Sequence, residues 1–191
     1  DLRRQRQMCI RDRLVFSPEV VPDDPFSLSY TIEGGDRLSK VVSRHGLLVD
    51  WRFVQRVNRI VDPSKIREGQ TIKLITGPFH AVVSKSDYRL DLYLGDGPDR
   101  VYVDSFEVGL GEFNSTPVGL FRVRPQSKDI NPQWRNPRTG EFFDRDDPLN
   151  PIGEYWLGLE GIDENTSKTA GYGIHGTIDH DSIGQQMSMG C

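Results

Sequence analysis

The chain has 191 residues, 36% of them hydrophobic, and a formal net charge of -4, which is enough length for one sizeable core and a second, smaller one. No apolar run approaches the ~18 residues of a membrane-spanning helix, so the sequence offers no transmembrane segment. Beyond the first thirteen residues the balance is acidic, -7 against their +3, which argues against nucleic acid as a partner.

Residues 1–13, DLRRQRQMCIRDR, hold five arginines against two aspartates and lack the apolar core of a signal peptide. They resemble translated sequencing-adapter read-through and are set aside from the fold, Cys9 with them. One cysteine, Cys191, then remains, so no intramolecular disulfide framework is available. Residues 14–27 carry three prolines and no sustained periodicity, which predicts a linker or an extended approach; 1–27 together are leader and linker. A compact unit is expected over 28–76. LSYTI (28–32) reads as a short strand, EGGD as a turn, and Asp36 as the cap of a helix with Leu38, Val41 and Val42 behind it. Asp50 caps a second helix with Phe53, Val54 and Val57 on its inner face, and TIKLI (71–75) reads as an alternating strand. The predicted order is strand, helix, helix, strand.

From Phe79 the period changes to two. FHAVVS is one strand; YRLDLYL puts Tyr88, Leu90, Leu92 and Leu94 on one face; RVYVDSFEVGL answers it across the turn GDGPD. STPVGLFRV and YWLGL (155–159) add two more, so the segment 78–191 is expected to be mainly β. Residues 125–152 are too long and too proline-rich for a simple connection, and read as a lid or binding wall ordered by Trp134, Phe142 and Phe143.

The closing stretch, YGIHGTIDHDSIGQQMSMGC, carries His175 and Cys191. Acyl transfer by cysteine needs a thiolate, a base to form it, a group to orient the base, and donors for the oxyanion. His175 lies between glycines 173 and 176, where the backbone can turn and expose an imidazole. Asp181 is expected to cap a short helix over SIGQQ that returns the chain to Ser188, Gly190 and Cys191. A thiol with a pKa near ~8.5 is mostly protonated at neutral pH, and a nearby imidazole can draw it into the reactive form. On spacing alone an inert thiol stays open, as does a metal hydrolase with His175, Asp179, His180, Asp181 and Cys191 as its ligand pool. His45 and His80 have no recognisable companions and read as structural.

Two resemblances sharpen this. YTIEGGDRL (30–38), Asn58 and IREGQTIKL (66–74) resemble a LysM module, a small βααβ α+β domain. That resemblance implies binding of N-acetylglucosamine-containing glycan strands, peptidoglycan or chitin, through Gly34, Gly35, Asp36, Arg37 and the loop from Asn58 to Ile66. YGIHGT, SIG and SMGC, preceded in order by LYLGDG, STPVGLFRV, NPQW and NPIGEYWLGL, resemble the L,D-transpeptidase (YkuD-like) catalytic domain over 79–191. This implies a β-sandwich-like fold and a reaction without metal or cofactor. Cys191 would attack a peptidoglycan tetrapeptide stem, His175 would be its base, and Gly176 would orient the imidazole through its carbonyl. The amides of Gly190 and Cys191 would hold the oxyanion, and Ser188, Tyr172 and Trp156 would line the substrate site.

Two departures accompany the resemblance. Met189 stands where many relatives carry histidine, and the family continues past the cysteine, so this chain is expected to be an incomplete catalytic domain, weakly active or inactive. Both modules imply a location in the cell envelope, with the export signal missing from this fragment. A catalytically inactive wall anchor is the alternative function.

Overall fold

The computed structural model describes residues 15–188; the arginine-rich leader and Met189, Gly190 and Cys191 lie outside the described residues. By its contacts the chain divides into two compact units, one running to Val82 and taking in Asp91–Ser105, the other made of Val83–Leu90 and the chain from Phe106 onward. Strand dominates helix.

In the first unit, β1 (Ser27–Thr31) and β2 (Thr71–Ile75) form an antiparallel pair, Ser27 opposite Ile75 and Thr31 opposite Thr71. Helices α1 (Leu38–Arg44) and α2 (Trp51–Val57) lie between them in sequence, so the expected strand, helix, helix, strand order is the observed one. Leu38 and Val41 from α1 and Val54 from α2 are buried with Ile32, Ile72 and Leu74 in one cluster. Asp50 caps α2, its carboxylate accepting from the Arg52 N–H at 2.7 Å.

Asp36 does not cap α1. Arg37 holds that position with no side-chain bond. The Asp36 carboxylate instead accepts from the Tyr30 hydroxyl at 2.6 Å and the Glu33 N–H at 2.9 Å, and pairs with Arg44 at 2.9 Å. A hydroxyl, a backbone donor and a guanidinium together outcompete a single helix-end N–H. These donors hold the carboxyl below its ordinary range, the tyrosine bond foremost, and correspondingly raise Tyr30.

The alternation expected of TIKLI is also overridden. Ile72, Lys73, Leu74 and Ile75 are all buried, Lys73 at 0% exposure, because the outer face of β2 is covered by the segment expected to be a linker. Val15 packs in a second cluster with Val57, Ile75, Leu94 and Val103, with Phe26 against it. The Lys73 ammonium donates to the Glu19 carbonyl at 2.8 Å, and burial draws its pKa down.

The remaining edge of β2 is closed by a side chain. Asn58, the C-cap of α2, accepts from the Lys73 N–H at 2.7 Å and donates to the Lys73 carbonyl at 2.7 Å and the Val54 carbonyl at 2.8 Å. One amide thus stands in for a third strand at a single rung. Asn58→Ala removes the amide that bonds both Lys73 backbone groups, so unfolding free energy should fall by about 1–3 kcal/mol, read as a lower urea midpoint with an unchanged slope.

Three strands, β3 (Phe79–Ser84), β4 (Arg89–Leu94) and β5 (Val101–Glu107), are neighbours in that order in one sheet. As expected for β4, Leu90 and Leu94 are buried, while Tyr88 falls before the strand, at a positive φ of 49°. In the second unit, β6 (Leu110–Gly111) pairs in parallel with the last strand, β12 (Gln186–Ser188), and β7 (Phe121–Ile130), β10 (Tyr155–Gly161) and β11 (Gly173–His175) form an antiparallel sheet with β10 central.

β7 runs through Pro125 to Ile130, well into the stretch expected to be irregular. An irregularity in its pairing with β10 between Leu157 and Leu159, with Gln126 at a φ of 58°, accommodates the proline without ending the strand. The rest of that stretch is ordered, as its aromatics predict. β8 (Trp134–Arg135) and β9 (Phe142–Phe143) make a hairpin in which Trp134 and Phe143 stack, centroids 5.9 Å apart. Asn150, buried, closes the excursion by donating to the Pro132 carbonyl at 2.7 Å and accepting from the Ile152 N–H.

Candidate active site

His175 ends β11 directly opposite Trp156 on β10, and Gly173 is opposite Gly158. The next residue turns the chain away: the Gly176 N–H donates to the Tyr155 carbonyl at 3.1 Å. The turn packs tightly on the segment fixed by Asn150. A Cβ on Gly153, at a φ of 62°, would lie 3.0 Å from the Thr177 nitrogen, and one on Gly176 would lie 3.3 Å from the Ile152 carbonyl oxygen. Side chains at either place would push 152–154 and 176–177 apart.

The imidazole Nδ1 lies 2.5 Å from the Gly176 carbonyl oxygen. A carbonyl only accepts, so Nδ1 carries the proton, and in the neutral ring Nε2 keeps the lone pair. Burial penalises the imidazolium and pulls the pKa of His175 below its ordinary 6.5, the Gly176 carbonyl opposing this in part. The neutral, proton-accepting form therefore prevails at neutral pH. Its contribution to stability is complete above 6.5 and is lost as pH falls through the lowered value.

Of the other expected site residues, Trp156 stacks on His175, Tyr172 donates its hydroxyl to the Ser115 carbonyl at 3.3 Å, and Ser188 ends β12 alongside Gly111. Gly190 and Cys191 lie outside the described residues. Among the glycan-binding candidates, Gly34, Gly35 and Arg37 are exposed, whereas the Asp36 side chain is 2% exposed and committed to Arg44 and its other donors, and the Asn58 amide is committed to β2.

No helix spans SIGQQ, and Asp181 is not a cap. A short 3-10 turn covers His180–Ser182, capped by Asp179, whose carboxylate accepts from the Asp181 N–H at 3.1 Å. Gly184, at a φ of 78°, then breaks the chain into β12. Among the described residues no three His, Cys, Asp or Glu side chains are grouped as a metal site, and no helix is long and apolar enough to cross a membrane.

Two contributors were not anticipated from the sequence. Asn150 positions the backbone beneath Gly176, and Gly173 makes room for Trp156. The NPIG and YGIH strings held both, but their effect depends on a partner strand that spacing does not identify.

A family model described as the L,D-transpeptidase catalytic domain (YkuD) matches residues 78–191. Two proteins of Bacillus subtilis (strain 168), both provisionally named L,D-transpeptidases, are similar to the chain. YqjB is 30% identical over 120 residues, 61% of this chain and 60% of its own length; YkuD is 30% identical over 174 residues, 86% of this chain and 84% of its own. The chain thus spans less than two thirds of YqjB. No solved structure matches it significantly. With a catalytic-domain match over more than half its length, the chain belongs to the YkuD family of L,D-transpeptidases.

Proposed function

We propose that the protein is a peptidoglycan L,D-transpeptidase of the cell envelope, using Cys191 as nucleophile and His175 as base. The observation that carries this reading is the contact of His175 Nδ1 with the Gly176 carbonyl, which places the proton on Nδ1 and makes Nε2 the basic nitrogen of the neutral ring. Nε2 accepts the thiol proton, and the sulfur attacks the carbonyl of the third residue of a tetrapeptide stem. The amides of Gly190 and Cys191 hold the oxyanion. As it collapses, the carbon–nitrogen bond to the terminal D-alanine breaks and the imidazolium protonates the departing amine. The resulting thioester passes to an amine of a neighbouring stem, or to water. Ser188 and Tyr172 border the substrate on this reading.

The test is incubation of the protein with purified tetrapeptide muropeptides, reading product and protein masses. Release of D-alanine with an acyl adduct mapped to Cys191, absent in Cys191→Ala, is expected. Crosslinking that persists in Cys191→Ala refutes the reading, and no turnover at all by the complete protein leaves a wall anchor.

We further read residues 28–76 as a LysM module. Its strand and helix order agrees with that reading, and a groove of about 340 Å³ opens in the loop the resemblance singles out, lined by Arg59, Ile60, Val61, Asp62, Lys65 and Gln70 among others. Val61 is 96% exposed and available to the acetamido methyl of a sugar. In titrations with N-acetylglucosamine oligomers, Val61→Asp should weaken binding by roughly tenfold without altering the melting temperature. Absence of binding by the unmodified protein refutes the assignment.

A further inference from the structure

The rung that pairs Trp156 with His175 projects both side chains from one face of the sheet, one strand apart. Their rings are nearly parallel, 14° between planes and 5.9 Å between centroids, an offset-stacked pair. Two residues back along β11, on the same face, the chain has Gly173. A Cβ there would lie 2.5 Å from Cζ2, 2.7 Å from Cη2 and 2.8 Å from Cε2 of Trp156. The indole is therefore laid along β11, its six-membered ring over bare backbone and its plane alongside the imidazole. Gly158 opposite Gly173 adds no side chain of its own to that rung, and Arg124 packs into the space it leaves. The Gly176 carbonyl holds Nδ1–H, so hydrogen bonding and stacking constrain the same ring independently.

Three ionic groups of β7 lie near this rung: the Arg124 guanidinium is 2.7 Å from where a Cβ on Gly158 would be, Lys128 is opposite Leu157, and Asp129 is opposite Trp156. Asp129 of β7, across from Trp156 on the side away from His175, pairs with Arg145 at 3.4 Å. Further along the same strands Glu160 pairs with Arg122. The lowered pKa of His175 has burial as its larger cause, and the indole is a bulky apolar body beside the ring.

We infer that Trp156 is a positioning residue for His175: its indole sets the plane of the imidazole and keeps water from one face of it, and Gly173 is the clearance that allows this. The role differs from direct substrate contact and rests on the reading of His175 as the base. Removing the indole lets the imidazole rotate about its side-chain torsions and hydrates it, so the imidazolium becomes easier to form.

The test follows the His175 titration by NMR in the full chain labelled with [15N]histidine, alongside kcat and KM for a tetrapeptide stem. Trp156→Leu is expected to move the midpoint upward toward the ordinary histidine value and to lower kcat by on the order of tenfold, with KM within about twofold. Trp156→Phe, which restores an aromatic face, should recover most of both. Gly173→Ala, which displaces the ring while leaving it present, should behave like Trp156→Leu and also carries the test if the leucine variant fails to fold. A His175 midpoint unmoved in both Trp156→Leu and Gly173→Ala overturns the inference. A raised KM with kcat and titration unchanged overturns it too, assigning Trp156 to the substrate. Because the titration reads His175 whether or not it is the base, a midpoint that moves as expected in a protein with no turnover upholds the positioning role and refutes the transpeptidase reading.

Discussion

His175→Gln should lower the release of D-alanine from a tetrapeptide stem by about 10²–10⁴-fold, with little change in the melting temperature at pH 8. Glutamine keeps a polar group at the end of β11 but cannot take a proton from the thiol or return one to the leaving amine. The unsubstituted protein should show the matching pH signature. Since burial holds His175 below its ordinary 6.5, the acid limb of kcat/KM should fall below that value, and in His175→Gln it should disappear. An acid limb at or above 6.5 would mean that the imidazolium is stabilised rather than penalised.

The largest effect on stability is expected at Leu74. It is fully buried in β2, within the cluster that holds Ile32, Leu38, Val41, Val54 and Ile72, and flanked by the equally buried Lys73 and Ile75. Leu74→Ala removes three carbons from a site where both helices and both strands converge, so relaxation can close little of the gap. The expected cost is about 2–5 kcal/mol, a large share of a typical domain's total. Equilibrium urea unfolding followed by the fluorescence of Trp51, which packs against that cluster, reads it. A loss below about 0.5 kcal/mol would place Leu74 outside the core.

What could be read from the sequence divides according to how far apart the interacting residues lie. Asp50 was legible as a cap because its acceptor role is completed two residues away, at Arg52. Asp36 was not, since the groups that captured its carboxylate, Tyr30 and Arg44, lie six and eight residues off and on different elements. Asp179 and Asp181 both had capping chemistry, and local geometry chose the earlier one. The period-two reading of TIKLI missed the burial of Lys73, because what covers it is Glu19, 54 residues earlier.

The site divides in the same way. The glycines around His175 announced a turn, and the carbonyl that orients the imidazole belongs to the very next residue, but the ring they were expected to expose is half-buried against Trp156. Which residue of β10 faces that imidazole is a matter of register, and register is fixed by the whole ladder from Tyr155 to Gly161. Trp156 therefore stood out as an aromatic worth attention, while its stacking partner could be assigned only from the fold.

Whether His175 acts as the base for Cys191 is read from the rate of Cys191 alkylation by iodoacetamide against pH, with peptide mapping to separate it from Cys9. Rapid alkylation of Cys191 persisting well below the ordinary thiol value of ~8.5, and a return to an ordinary thiol profile in His175→Gln, is the predicted result. A Cys191 that titrates near that ordinary value in the unsubstituted protein, with a profile the substitution leaves unchanged, would contradict it.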